Sequence, residues 1–337
     1  MADRCIDGTL TTGTEAGTVA GAAPTDGEWA NAAHAEANIQ AVYDGLAAGD
    51  TLHATRTQTL TAPIDIDQAH GTAGNPIAVL GYNYNGGAPI ADGSKYVIDA
   101  NSTAANCILA AYKDFWKFKN VEFKNATADN VTGVTNRPQW WQFVNCDSHN
   151  AGGSGWGAIG GNYYTNSAFV LCRAYSNGES GFFTADSYHS FCTAYSNGSS
   201  SPEAGFNGYR NVYTACVGYS NDHSNFNDPV YRTHLFNCVS DDPVTRGIYV
   251  KGSPATVIGS RITGTGTGIV GDGSADVLDL WNYIVCDTAP TAAITVDQQI
   301  EGADTRIETG VEGYIDAAGG NFGLTNDAAA RRTAVAL

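Results

Sequence analysis

The side chains able to do chemistry are sparse and fall at telling spacings. Asp241 and Asp242 stand side by side, with Arg246 and Lys251 following. Two carboxylates and two cations this close could hold a cation or move a proton. Aspartates paired between apolar runs more often serve as a solvated turn or a cap, and that plainer role outweighs catalysis here. Four histidines, His149, His189, His223 and His234, sit at different points of a repeating pattern, two near a turn and two ahead of a cysteine. A metal site needs two or three ligands on one face, so none is expected. Cys146, Cys172, Cys192, Cys216 and Cys238 include no Cys-x-x-Cys pair and read as small apolar fillers. The remaining chemistry is aromatic: Phe183, Tyr209 and Tyr249 fall at outward positions of strands, where exposed rings bind sugars or pack on another chain. An N-terminal arm laid over them is the plainer alternative.

These residues belong to a phrase that returns between Phe115 and Cys238. It is written FKNVEFKN, FVNCDSHN, VLCRAYSNG, FCTAYSNG and TACVGYSND. Alignment puts Val121 and the five cysteines in one column, at spacings of 25, 26, 20, 24 and 22 residues. Asn125, Asn150, Asn177, Asn197 and Asn221 form a second column, and Gly181-Phe182, Gly205-Phe206 and Gly247-Ile248 carry a third phrase. A repeat of this length marks a solenoid. Within SFCTAYSN apolar and polar residues alternate with the period of a strand, which predicts parallel coils about 4.8 Å apart. The cysteines then stack inside. The asparagines line a turn, where Asn accepts a left-handed backbone and bonds to the Asn of the next coil. Stacked cysteines keep their Cβ atoms near 4.8 Å, beyond disulfide range, so free thiols are expected.

The chain has 337 residues, 40 of them glycine, with 43% hydrophobic and 15% charged residues, a composition of ordered β structure. Acidic residues outnumber basic ones 34 to 17, for a net charge of −17. That charge repels nucleic acid and anionic lipid, so neither nucleic acid nor membrane is an expected partner. Met1 to Arg4 leads into polar sequence without an apolar signal core. Residues 1–33 read as an N-terminal arm. Residues 34–50 read as a capping helix, with Ala35, Ile39, Val42 and Leu46 at helical spacing and Gly49 at its end. Such a helix would cover the open end of a parallel stack. Residues 51–310 are assigned to the coils, and 311–337 to a C-terminal cap and tail.

The order helix, Ala-Gly-Asp-Thr-Leu, strand, Gly-Thr-Ala-Gly-Asn-Pro-Ile, followed by coils such as CRAYSNGESGFFTADSYHSFCTAYSNG, resembles the pectate-lyase-like right-handed parallel β-helix proteins over about residues 34 to 330. The fold class this implies is all-β, a single-stranded right-handed parallel β-helix with a short N-terminal capping α-helix. The architecture hosts lyases, hydrolases, adhesins and bacteriophage proteins alike. One lyase branch that resembles the turn phrase writes paired aspartates, for calcium, where this chain has Gly178-Glu179-Ser180 and Gly198-Ser199-Ser200. Of the polygalacturonase pattern only Asp241-Asp242 is present, with Arg246 and Lys251 five apart and not two.

Both departures lean away from an enzyme. The expectation is a non-enzymatic bacteriophage virion protein, a capsid decoration or tail-associated β-helix made in the host cytoplasm and assembled with other virion proteins, itself a homo-oligomer such as a trimer. No cofactor is expected. The alternative is an extracellular polysaccharide lyase or glycan-binding protein acting on acidic polysaccharide, and only the lyase reading implies calcium.

Overall fold

The computed structural model describes residues 3–7, 17–18, 39–68, 70–82, 95–111, 113–134, 140–158, 164–198, 204–228, 233–243, 245–250, 255–264, 267–280, 283–286, 291–296, 306–309, 314–315 and 323–324. The chain divides into two units, Met1–Thr193 and Ala194–Leu337.

In the first unit each coil contributes short strands to parallel stacks. One stack runs Thr51–Thr55, Ile77–Tyr82, Trp116–Lys119, Gln142–Val144, Ala168–Val170 and Tyr188–Ser190. A second runs Thr57–Thr59, Tyr96–Asp99, Val121–Lys124, Asp147–His149 and Arg173–Tyr175. A third runs Ile64–Ile66, Ile108–Ala111, Val131–Val134, Trp156–Ala158 and Phe182–Ala185. The second unit repeats the pattern, for example pairing Val217–Tyr219 with Val239–Asp241 and then Arg261–Gly264. This is the parallel β-solenoid that the repeat predicts.

Single left-handed residues five apart make the corners. Phe115, Asn120 and Asn125 have φ of 59°, 57° and 61°; Trp140, Asn145 and Asn150 have 62°, 52° and 54°; Asn166, Leu171 and Ser176 have 51°, 56° and 54°. Arg210, Ala215 and Ser220 do the same in the second unit. Between corners lie four residues, the first pointing inward, of which the last three or all four form the strand. That module corrects the expected asparagine column. Lys124, His149 and Tyr175 are in register, so the corner after them is Asn125, Asn150 and then Ser176. Asn177 falls one residue later and turns inward. There its Oδ1 accepts the Ala151 N–H at 3.1 Å and its Nδ2 donates to the Ser148 carbonyl at 3.2 Å. Asn221 is likewise buried one residue after Ser220, its Oδ1 accepting from Asn197 N–H at 3.1 Å. The amide is used to satisfy buried backbone polar groups more than to relieve the left-handed bend.

Inside the first unit Phe118, Phe143, Phe169 and His189 form a ladder of near-parallel rings, with centroids 5.5, 5.0 and 4.7 Å apart. Trp156 and Phe182 stack at 4.7 Å. These spacings follow the strand-to-strand repeat, so burying one ring per coil adds the apolar term and the stacking term together. His189 is accepted there as a neutral ring. Burial lowers its pKa to about 3, and its Nε2 meets Thr184 Oγ1 at 3.0 Å.

The ends differ from expectation. In place of a helix over 34–50, the described residues hold a six-residue helix, α1, Ile39–Asp44; residues 34–38 lie outside the described ones. Among the described residues, Gln40 covers the edge strand with one side chain. Its Nε2 donates to the Asp65 carbonyl at 2.6 Å and its Oε1 accepts the Asp65 N–H at 2.8 Å. Asp3–Asp7, within the span read as an arm, adds a parallel strand against Thr51–Thr55 and buries Cys5 and Ile6.

All five column cysteines are buried and free. Burial pushes the Cys146 and Cys238 thiols above their ordinary range, and Cys107 up to about 12. Burial acts the same way on Cys172, but there the hydrogen bonds from Cys146 and Cys192 act against it and lower the thiol. All five are buried and should be silent to thiol reagents until the protein is unfolded, for want of access. In urea titrations Cys172→Ala should cost about 1 kcal/mol and Cys172→Leu more, since the packed column has no spare volume.

Candidate functional site

Strands of the second stack show alternate residues to the outside. Ile98, Phe123, Ser148 and Ala174 face in, which leaves two outward columns: Glu122, Asp147 and Arg173 in one, and Asp99, Lys124, His149 and Tyr175 in the other. Together with Lys95 they gather three cations and three carboxylates onto one face of a chain whose net charge is −17.

Asp147 is the centre. Its carboxylate takes Nε of Arg173 at 2.9 Å and Nη2 at 2.5 Å, and Lys95 Nζ lies 2.6 Å from Oδ1. The Asp147 and Lys95 side chains are 3% and 5% exposed, whereas Arg173 is 53% exposed. A bidentate fork fixes the guanidinium plane, so Arg173 is a cation held at one end and presented to solvent at the other. Beside it, His149 stacks on Tyr175 with centroids 4.5 Å apart and rings 7° from parallel. His149 Nε2 lies 3.1 Å from Glu122 Oε1, and Lys124 Nζ lies 3.5 Å from the same oxygen. The hydrogen bond from His149 is the largest influence holding the Glu122 carboxyl below its ordinary range.

The sequence reading did not single out Lys95, Glu122, Asp147, Arg173 or Tyr175, and it gave His149 no metal-binding role. The signal was present. Once Val121, Cys146 and Cys172 define the inner column, the next residue and the third after it are the outward ones, and these spell the cluster. Lys95 was hidden because its coil lacks the repeated phrase.

The residues predicted from sequence lie elsewhere. Phe183 is half-buried in the first unit, and Tyr209 and Tyr249 are half-buried in the second. Tyr249 shares a column with Asn207 and Asn227, both buried, and its ring is covered by the Arg246 guanidinium at 4.5 Å. Asp241 and Asp242 are exposed, with Asp241 Oδ1 accepting from Thr263 Oγ1 at 2.5 Å. Asp242 is a left-handed corner with φ 42°. Lys251 lies outside the described residues.

Calcium, which the lyase resemblance implies, finds a poor host where that resemblance would place it. Glu179 stands at the matching turn, with Ser154 Oγ 3.4 Å from its Oε2 and the Asp129 carboxyl on the other side of Ser154. Burial, and then the Glu179 charge, raises the Asp129 pKa, and its Oδ1 already accepts the Ser154 N–H at 2.6 Å. Two carboxylates, one drawn toward its neutral form, fall short of the six to eight oxygens calcium takes. Among the described residues no group of three or more His, Cys, Asp or Glu side chains could hold a metal ion.

No protein-family model matches the chain, and no curated protein matches it in sequence. Solved structures do match. A complex of XylC with xylose aligns at TM-score 0.51 and 10% identity, over 86% of this chain and 69% of that one. Pectate lyase Pel9A aligns at 0.46 and 17%, over 88% and 77%. The enzymatically active domain of tailspike protein 2 of bacteriophage CBA120 aligns at 0.45 and 12%, over 75% and 40%. The chain thus has a parallel β-helix fold. Its structural neighbours are mostly polysaccharide lyases and other glycoside-active β-helix proteins, with one phage tailspike.

Removing the Asp147 carboxylate would leave Lys95 buried without its partner. Asp147→Ala should therefore destabilise the protein by about 3–5 kcal/mol in urea unfolding. Glu122, with its folded pKa depressed, contributes stability that is complete above the ordinary carboxylate range and lost as pH falls through its folded pKa. Glu122→Gln should flatten that acid limb of the stability profile.

Proposed function

We propose that the protein acts on polysaccharide and binds a uronate-containing chain across the face built on Asp147. One observation carries this reading: Arg173 is locked by Asp147 and backed by the buried Lys95, while half its side chain stays open to solvent. A planar guanidinium fixed in this way matches a carboxylate geometrically and gives up little side-chain entropy on binding it. Lys124 supplies a second cation, and the stacked Tyr175 and His149 rings supply a flat flank for a sugar. The company of polysaccharide-active folds agrees with this assignment, and the geometry of the face is what supports it.

The His149–Tyr175 stack favours a second step at the same place, β-elimination of the bound uronate. Neutralising the carboxylate acidifies the adjacent C–H. The proton passes to the ionised phenolic oxygen of Tyr175, the carbon–oxygen bond to the leaving sugar breaks as the double bond forms, and the leaving oxygen takes that proton back from Tyr175.

Affinity electrophoresis in gels containing alginate, polygalacturonate or hyaluronan, with dextran as the neutral control, tests the binding. The wild-type protein should be retarded by at least one acidic polymer, less so at high salt, and Arg173→Ala should weaken binding about tenfold, or ~1.4 kcal/mol. Ultraviolet absorbance from unsaturated uronate ends, abolished in Tyr175→Phe, would establish elimination. Absence of both retardation and product would show the reading to be wrong.

A further inference from the structure

The first stack carries a second outer face, next to the Asp147 face and separated from it by the corner column Asn120, Asn145, Leu171 and Phe191. Phe118, Phe143, Phe169 and His189 point inward. The outward columns are Lys117, Gln142, Ala168 and Tyr188, and Lys119, Val144, Val170 and Ser190. Two lysines stand on this ladder and no carboxylate does, in a protein where acidic residues outnumber basic ones 34 to 17. The corners that frame it hold large apolar side chains in the open: Trp140 is 49% exposed, Leu171 53% and Phe191 59%. Tyr188 is exposed as well.

These corners are filled against backbone preference. Leu171 has φ 56°, Phe191 φ 53° and Trp140 φ 62°, a region that penalises a bulky L-residue and suits Asn. Asn145 and Asn120 occupy the same column as Leu171 at no such penalty, linked by Asn145 Nδ2 donating to Asn120 Oδ1 at 2.9 Å. Within the fold, the apolar side chains recover little of that cost, because roughly half of each stays in water. Leu171 and Phe191 lie on neighbouring coils, Leu171 N–H donating to the Ser190 carbonyl at 2.9 Å. At the opposite corner Phe115 and Trp140 are stacked, rings 2° from parallel and 6.2 Å apart. Aromatic and apolar corners thus face each other across about 13 Å of strand.

We infer that this face is a second contact surface for an anionic glycan, distinct from the Asp147 face. The apolar C–H side of a pyranose packs on exposed aromatic rings, and Lys117 and Lys119 meet the carboxylates between them. Charge selects this occupant. A second copy of a chain carrying −17 would be repelled over most of its surface, while a polyanion finds here two lysines on the strands, with the Asp186 carboxyl confined to the corner column of Trp140 and Asn166.

The test uses substitutions that improve the backbone while deleting the contact. Leu171→Asn and Phe191→Asn restore the corner residue found at Asn145, so each should raise the thermal midpoint. In the same affinity gels the double variant Leu171→Asn/Phe191→Asn should lose at least tenfold in affinity for whichever of alginate, polygalacturonate or hyaluronan retards the wild type. Trp140→Ala should lose binding as well. Arg173→Ala run alongside separates the two faces. Loss in Arg173→Ala with retention within twofold in the corner variants would overturn this inference and leave the first reading standing. The opposite pattern would do the reverse. A wild-type dimer in sedimentation velocity that the corner variants abolish, with glycan affinity unchanged, would assign the face to a second copy and refute the glycan.

Discussion

Everything in this structure depends on one backbone constraint: a single left-handed residue every fifth position, three times in succession, in coil after coil. A right-handed or extended residue there would carry the strand straight on. A left-handed one bends the chain sharply after three or four residues and leaves the next side chain pointing inward. Because the bends recur in register, the inward residues of successive coils meet their like: Phe118 on Phe143 on Phe169, and Cys146 next to Cys172. Hydrogen bonding along the stacks then satisfies the backbone, and the ring ladder supplies the apolar driving force. Asn is the natural corner residue, and its side chain adds a second ladder from Asn145 to Asn120.

The same bends decide what faces out. Each short strand between corners can show only two side chains to solvent, so a face is a small grid whose columns climb by one coil per step. The Asp147 grid is nearly charge-balanced and strongly tied. Its energetics come from desolvation: a carboxylate 3% exposed and an ammonium 5% exposed are costly singly and tolerable together. The adjoining grid is different in kind, with lysines, exposed rings and strained corners. The proposed ligand, a polymer of charged sugars, would offer carboxylates to the first and ring faces to the second.

Much of this was legible in the sequence. Strand alternation and the recurring cysteines gave the solenoid and its inner column, and the free, buried thiols followed from stacking geometry. Asn125 and Asn150 are the corners expected, but Asn177, Asn197 and Asn221 were misplaced by one residue, because Asn at a turn suggests the left-handed position and the serine before it does not. In YSNG the corner is Ser176, and Asn177 works inside. The capping helix was overestimated because Ala35, Ile39, Val42 and Leu46 satisfy a helical period, whereas among the described residues the amide of Gln40 on Asp65 covers the edge. The Asp147 cluster was missed for a different reason: motif comparison looked for the residues of other enzymes, Asp241 and Asp242 among them, when reading outward from the cysteine column would have named Glu122, Asp147 and Arg173. Left-handed Leu171 and Phe191 were passed over because they look like interior residues, although each directly precedes its column cysteine, where Asn145 precedes Cys146.

The constraint itself is open to direct measurement at Asn145. Valine, branched at Cβ, resists the left-handed region, whereas glycine enters it freely. Equilibrium urea unfolding of Asn145→Val and Asn145→Gly separates conformation from side-chain bonding. The glycine variant should stay within about 1 kcal/mol of the parent, losing only the bond to Asn120, and the valine variant should be lower by about 2–3 kcal/mol. Equal stability of the two would mean that the corner does not depend on a left-handed residue, and the account of both outer faces would lose its foundation.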